Sequence, residues 1–160
     1  MIGADGRSRL DRSDAAPPPV ASIGHHPRDL RAMLVKTGLR PTRQRLALGE
    51  LLFAKGNRHV TAEMLHGEAI GAGIPVSLAT IYNTLNQLTD VGLLRQVPVD
   101  GSKMYFDTNL SKHQHFYVEG DNELLDIADG NSVEGKWPTP PEGHEIVRID
   151  IVVRLRRVTR

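Results

Sequence analysis

The sequence predicts an α+β protein, an N-terminal winged helix-turn-helix followed by a small C-terminal α/β domain. Three observations predict it. Between Ser77 and Gly92 the apolar residues recur at helical spacing, and the opposite face is polar but uncharged until Asp90. An Asp100-Gly101 hairpin signal follows at once, flanked by strand-like residues. Beyond Asp107 the apolar pattern changes to alternation, the period of a strand.

Residues 1–26 mix Gly, Asp, Arg and Ser with Pro17-Pro18-Pro19 and show no period, so a disordered arm is expected there. His25-His26 in that arm receives no role. Residues 27–107 read as the winged-helix domain. Pro27 opens a helix with Leu30, Met33 and Leu34 facing inward, and Gly38 is a plausible stop. Thr42 caps a second helix, whose Arg43 and Arg45 precede Leu48, Leu51, Leu52 and Phe53. Cations at a helix N-terminus oppose the macrodipole, so a DNA phosphate would relieve a local penalty; two solvated arginines are the alternative. Lys55–Arg58 is a loop. Thr61 caps a third helix with Glu63 in its first turn and Met64, Leu65 and Ala69 on its buried side. Gly71–Pro75 breaks the chain before Ser77 caps the fourth helix.

In that fourth helix Leu78, Ile81, Leu85 and Leu88 form the inward stripe. Ala79, Thr80, Asn83 and Gln87 lie opposite, with Tyr82 at the stripe's edge. Amides and hydroxyls there are the groups that read base edges in a major groove. Leu93–Val99 and Met104–Phe106 are the strands of the wing, with Lys103 near its tip. The residues assigned to DNA are Arg43, Arg45, Ser77, Thr80, Tyr82, Asn83 and Lys103. An ordinary amphipathic helix beside a hairpin is the bland alternative.

Residues 108–160 read as a dimerisation and effector-sensing domain. Strands are expected at His115–Val118 and Leu124–Ile127, joined by a turn at Glu119–Asn122. A Pro/Gly-rich loop over 129–143 follows, with at most one helical turn around Trp137. The last segment alternates clearly: Val147, Ile149, Ile151, Val153 and Leu155 share one face, and Arg148, Asp150, Arg154 and Arg156 share the other. So small a sheet cannot bury both faces alone, and a second copy of the chain is the economical partner.

The 160 residues carry a net charge of +1, so bulk electrostatics does not announce nucleic acid. With no cysteine, the chain can form neither disulfides nor thiolate-ligated zinc or iron–sulfur sites. It shows no apolar run of the roughly 20 residues that span a bilayer and no signal-peptide core, so a cytoplasmic protein is expected.

A constellation of histidines and carboxylates remains. His113-Gln114-His115 enters the first C-terminal strand, Asp107 ends the wing, Asp126 lies on the neighbouring strand, and His59 precedes the third helix. Mixed imidazole and carboxylate ligands suit Fe, Mn, Zn or Co, and histidines facing an apolar cavity would suit haem iron. From spacing alone, His113 and His115 read equally as solvated bystanders. His66 and His144 receive no role.

Several segments in order resemble the ferric uptake regulator (Fur) superfamily: Arg40–Arg45, His59–Leu65, Val76–Leu85, Gly92–Leu94 and Gly101–Asp107. Within it, Tyr82-Asn83-Thr84, Phe106–Asn109, Glu123–Ile127 and Ile149–Arg156 are most similar to the iron response regulator (Irr) of alphaproteobacteria. The resemblance covers residues 28–157. It implies a homodimeric transcription factor whose winged helix binds an inverted-repeat operator and whose C-terminal sheet dimerises. It further implies a divalent metal held by His59, Asp107, His113, His115 and Asp126, or haem at His113 and His115, with haem synthesis and iron homeostasis as the regulated processes. The chain departs from the pattern in places. Irr proteins usually carry three consecutive histidines where this chain has His113-Gln114-His115, and the cysteine motifs that hold haem or structural zinc in relatives are missing. Asn83 stands where Fur often has arginine. The expected function is therefore an iron- or haem-responsive regulator, not an enzyme. Its alternatives are a regulator sensing Fe(II), Mn(II) or Zn(II) directly, a metal-dependent hydrolase, and a storage or purely structural dimer.

Overall fold

A computed structural model describes residues 27–128, 130, 131 and 133–158; the arm expected at 1–26 lies outside the described residues. Ten elements follow in order: α1 (Pro27–Lys36), α2 (Arg43–Phe53), β1 (His59–Val60), α3 (Ala62–Gly71), α4 (Leu78–Asp90), β2 (Arg95–Pro98), β3 (Met104–Asp107), β4 (His115–Glu119), β5 (Glu123–Asp126) and β6 (Val152–Arg156).

Local hydrogen bonds start the helices where the sequence places them. Thr42, Thr61 and Ser77 are each extended, and each side-chain oxygen accepts the amide three residues on, from Arg45, Met64 and Thr80. At Gly92 the chain turns with φ +74°, a conformation costly for a side chain with a Cβ, and α4 ends there. Leu34, Leu52, Leu65, Ile81, Leu85 and Phe106 are fully buried where the four helices meet the wing. Helices α1 and α2 approach closely at Gly49, where a Cβ would lie 2.6 Å from Leu30 Cδ2.

Two three-stranded sheets complete the fold, in the orders β1-β3-β2 and β5-β4-β6. The first includes a two-residue strand between the Lys55–Arg58 loop and α3, too short to show a period in the sequence. His59 and Val60 become β1 by pairing antiparallel with Asp107 and Phe106. In the second sheet β4 pairs antiparallel with β5 and parallel with β6. One face of the wing hairpin and the second sheet share an apolar cluster, with Val97, Val99 and Tyr105 packed on Tyr117 and Leu124.

Three expectations are corrected. Met64 is 46 % exposed, because α3 buries the stripe Ala62, Leu65 and Ala69 and Met64 lies beyond its edge. Leu78 is only half-buried, and Thr84 is buried in its place on α4. The terminal alternation does not form one long strand: residues 146–151 are irregular, β6 begins at Val152, and Val147 is 88 % exposed. The alternation suits a strand, but a strand needs a neighbour to pair with, and among the described residues β4 supplies one to Val152–Arg156. Among the described residues no helix forms around Trp137, and no helix is long and apolar enough to cross a membrane.

The loop before β1 is fastened by Arg58. Its guanidinium makes a fork on the Glu68 carboxylate of α3, with Nη1 2.9 Å from Oε2 and Nη2 on Oε1, and Nη1 also donates to the Leu51 carbonyl. The Arg58 hydrogen bonds hold the Glu68 carboxyl below its ordinary pKa despite partial burial. A depressed carboxyl contributes stability above its unfolded pKa, and that contribution is lost as pH falls through the folded value. Glu68→Gln should therefore cost about 1–2 kcal/mol of unfolding free energy at pH 7. The difference from wild type should vanish in acid, as urea melts at several pH values would show.

A candidate metal centre and a candidate nucleic-acid interface

Each sheet contributes one histidine directly opposite one aspartate. His59 of β1 pairs in register with Asp107 of β3, and His115 of β4 pairs with Asp126 of β5. Direct partners in an antiparallel pair present their side chains to the same face, so each pair points its imidazole and carboxylate one way. The two pairs face each other, and His113 joins them from the segment before β4. One donor atom from each of the five residues lies within 4.8 Å of all the others.

The contacts are close but poorly aligned for hydrogen bonding. His113 Nε2 is 2.9 Å from Asp107 Oδ2 and 3.1 Å from Asp126 Oδ1; His59 Nε2 is 3.0 Å from Asp126 Oδ1. His115 Nε2 is 3.4 Å from Asp107 Oδ2. The Nε2 atoms of both His59 and His113 are buried without a hydrogen-bond partner. The proton on His113 is placed by its other nitrogen. Nδ1 lies 2.8 Å from the Ser111 carbonyl, which can only accept, so Nδ1 carries a hydrogen and Nε2 faces the carboxylates. Lone pairs brought together in a buried place repel unless a cation or proton lies between them, and three imidazoles with two carboxylates form a donor set for a borderline divalent ion.

Asn109 aims the carboxylates. Its amide N–H donates to Asp107 Oδ1 at 2.7 Å, and its side-chain Nδ2 donates to Asp126 Oδ2 at 3.3 Å. The other oxygen of each carboxylate is left for the centre, the outer-sphere orientation typical of metal sites. Sequence reasoning missed Asn109 and Ser111. The available signal was an Asx turn closing on Asp107 two residues before Asn109, with Ser111 two residues before a candidate ligand. Asp107 is completely buried. Burial alone would raise its pKa, but His115, the neighbouring His59 imidazole and the Asn109 amide together hold it far below the carboxylate range. Burial would lower the His59 pKa; Asp107 and Asp126 outweigh it and raise the value.

The residues assigned to DNA divide into two groups. Arg43, Ser77, Tyr82 and Asn83 are exposed, and Thr80 is half-buried with its hydroxyl 2.9 Å from the Ser77 hydroxyl. Arg45 and Lys103, also expected to meet phosphates, are engaged within the protein. The Arg45 guanidinium donates to the Arg40 carbonyl and to Gln87 Oε1, joining the start of α2 to α4. Lys103 turns from the wing tip toward the second sheet. Its ammonium donates to the Tyr117 hydroxyl at 2.9 Å and to Asn122 Oδ1, and it lies 5.6 Å from the centre of the Tyr117 ring. His66 and His144 bind backbone carbonyls, of Val76 and Glu142.

Residues 36–151 match the ferric uptake regulator family. The chain is 34 % identical over 109 residues to the ferric uptake regulation protein of Shigella flexneri, spanning 68 % of this chain and 73 % of that one. It is 33 % identical over 107 residues to the peroxide-responsive repressor PerR of Staphylococcus epidermidis, spanning 66 % and 70 %. Among solved structures, the ferric uptake regulator of Pseudomonas aeruginosa with manganese superposes with a TM-score of 0.61 at 24 % identity, over 81 % of this chain and 98 % of that one. The Vibrio cholerae regulator gives 0.62 at 21 % identity, over 79 % and 98 %. At these identities the two structures establish the fold.

A divalent ion that occupies the five-residue centre should stabilise the fold by about 2.7 kcal/mol when present at 100 times its Kd. Asp107→Asn should weaken that ion's affinity by at least about 100-fold. Thermal melts of metal-stripped protein titrated with Zn(II) and Mn(II) would measure both; an unchanged Tm at millimolar metal would remove the centre.

Proposed function

This chain belongs to the ferric uptake regulator family, and we propose that it is a cytoplasmic, homodimeric transcription regulator that senses a divalent ion directly. The observation that carries this reading is the convergence of His59, Asp107, His113, His115 and Asp126 from both sheets onto one small volume. His59 and Asp107 belong to the sheet that also holds the wing, whereas His115 and Asp126 belong to the second sheet. An ion bound by all five ties the two sheets together and favours one arrangement of the wing and α4 relative to the second sheet. A ligand shifts such an equilibrium only by its difference in affinity for the two states; about 1–3 kcal/mol changes operator affinity roughly 5- to 150-fold. Binding also displaces any proton held among the imidazoles, so affinity falls in acid.

DNA recognition rests on the outer face of α4. Thr80, Tyr82 and Asn83 address base edges, and Arg43 is free for a phosphate. The exposed apolar series of the C-terminal segment, Val147, Ile149 and Leu155, is the surface that a second copy would cover. Two copies then present two α4 helices to the half-sites of an inverted repeat.

Haem sensing, with control of haem synthesis and iron homeostasis in the manner of Irr, is the second reading. One observation favours it: a groove of about 640 Å³ borders His113, lined by Leu110, Trp137, Ile146 and Ile149 with Arg95 and Arg148 at its edge. Against it, the His113 ring offers that groove no free nitrogen. Nδ1 is bound to Ser111 and Nε2 faces the carboxylates, while His115 is 2 % exposed. The small ion therefore fits the donor set better. Relatives named as regulation proteins and repressors lend no support to the hydrolase alternative.

Fluorescence anisotropy on an inverted-repeat duplex, selected by the protein from a randomised pool, tests the reading. Mn(II), Fe(II) or Zn(II) should change the affinity at least fivefold, and haem should not. A response to haem alone would transfer the function to the Irr type, and no selective binding under any condition would sink both.

A further inference from the structure

The reading face of α4 carries a tether from another helix. Tyr82 is 39 % exposed, and its hydroxyl donates to Glu63 Oε1 of α3 at 2.6 Å. We propose that Glu63 is a positioning residue for base recognition, fixing the Tyr82 ring against α4 and suppressing unselective phosphate binding; this rests on the DNA-binding reading above.

A tyrosine on an open helix face samples several rotamers about two torsions. One hydrogen bond at the far end of the ring restricts both. Its acceptor lies 19 residues away in sequence, on a helix packed against α4 and started by its own cap at Thr61. The tether also determines what the side chain offers DNA. The single phenolic proton is engaged by the carboxylate, so the exposed part of Tyr82 presents a ring edge and lone pairs rather than a donor. A ring held there suits apolar contact with the methyl group of thymine. The Glu63 carboxyl, held below its ordinary pKa foremost by the Tyr82 hydrogen bond, is a fixed negative charge on the side that would approach phosphates. Charge of that sign weakens binding to every sequence equally, whereas the ring orientation favours one base.

A simpler role is available to Glu63, since an acid in the first turn of a helix favours the macrodipole. The two roles separate on substitution. Glutamine keeps an acceptor oxygen and removes the charge; alanine removes both. The probe is the duplex that the wild-type protein selects from a randomised pool, with single-base replacements used to find the position where Tyr82→Ala erases discrimination. Glu63→Ala should lower discrimination at that position by roughly 3- to 10-fold and leave the other positions unchanged. Glu63→Gln should keep the discrimination, and both variants should bind a scrambled duplex more tightly than wild type does. Discrimination that is unaltered in Glu63→Ala, or lowered equally at all positions, overturns the positioning role. A wild-type protein that selects no duplex overturns the DNA-binding reading itself.

Discussion

A fully buried carboxylate constrains much of this molecule. An ionised group taken out of water costs several kcal/mol unless it is paired and its remaining lone pairs are satisfied. Asp107 has the Asn109 amide on one oxygen and three imidazole nitrogens gathered around the other, an arrangement that a cation or a shared proton completes. Each partner arrives from a different segment. His59 is brought by the short strand β1, which would not exist without β3, and His115 by the second sheet. Thr108, next in the chain, extends the hold by accepting the Arg58 amide at 2.8 Å and donating its own amide to the Arg58 carbonyl. Through the Arg58 fork on Glu68, the same segment is fastened to α3.

The wing provides a second connection between the sheets, independent of the histidines. Tyr105, Tyr117, Asn122 and Lys103 form a closed polar network over the apolar cluster of Val97, Val99 and Leu124. Asn122 sits in the turn between β4 and β5 with φ +51°, a conformation asparagine tolerates better than most residues. That turn offers its side-chain oxygen to Lys103 and Tyr117 and its carbonyl to Tyr105. A displacement of the second sheet would therefore be felt at the wing tip as well as at the histidines. The candidate metal centre and the candidate DNA surface are thus joined by contacts through the hairpin and not by the chain alone.

Order in the recognition face has a similar origin. Arg45 and Glu63 lie on α2 and α3, and each reaches one polar residue of α4, Gln87 and Tyr82. Side chains that would otherwise sample many rotamers are held before any partner arrives, which lowers the entropic cost of recognition. Arg43, on the same side at the start of α2, is exposed.

Short-range chemistry made much of this legible in the sequence. The caps at Thr42, Thr61 and Ser77 act over three residues, the stop at Gly92 acts at one, and the hairpin at Asp100-Gly101 spans a few. The stripe Ile81, Leu85 and Leu88 is set by the helical period. The identities of His59, Asp107, His113, His115 and Asp126 were legible as donors of one chemical type, and the family resemblance grouped them. Their convergence was decided by tertiary structure, because it depends on two strand registers and on Asn109 bridging the carboxylates of Asp107 and Asp126, the second of them 17 residues further along the chain than Asn109 itself. Tertiary structure likewise made a strand of His59-Val60, exposed Met64, left residues 147–151 irregular and turned Lys103 toward the second sheet. Periodicity and capping are properties of neighbours along the chain. A strand edge, a shared ligand cluster and an inward-turned lysine depend on which distant residues the fold brings alongside.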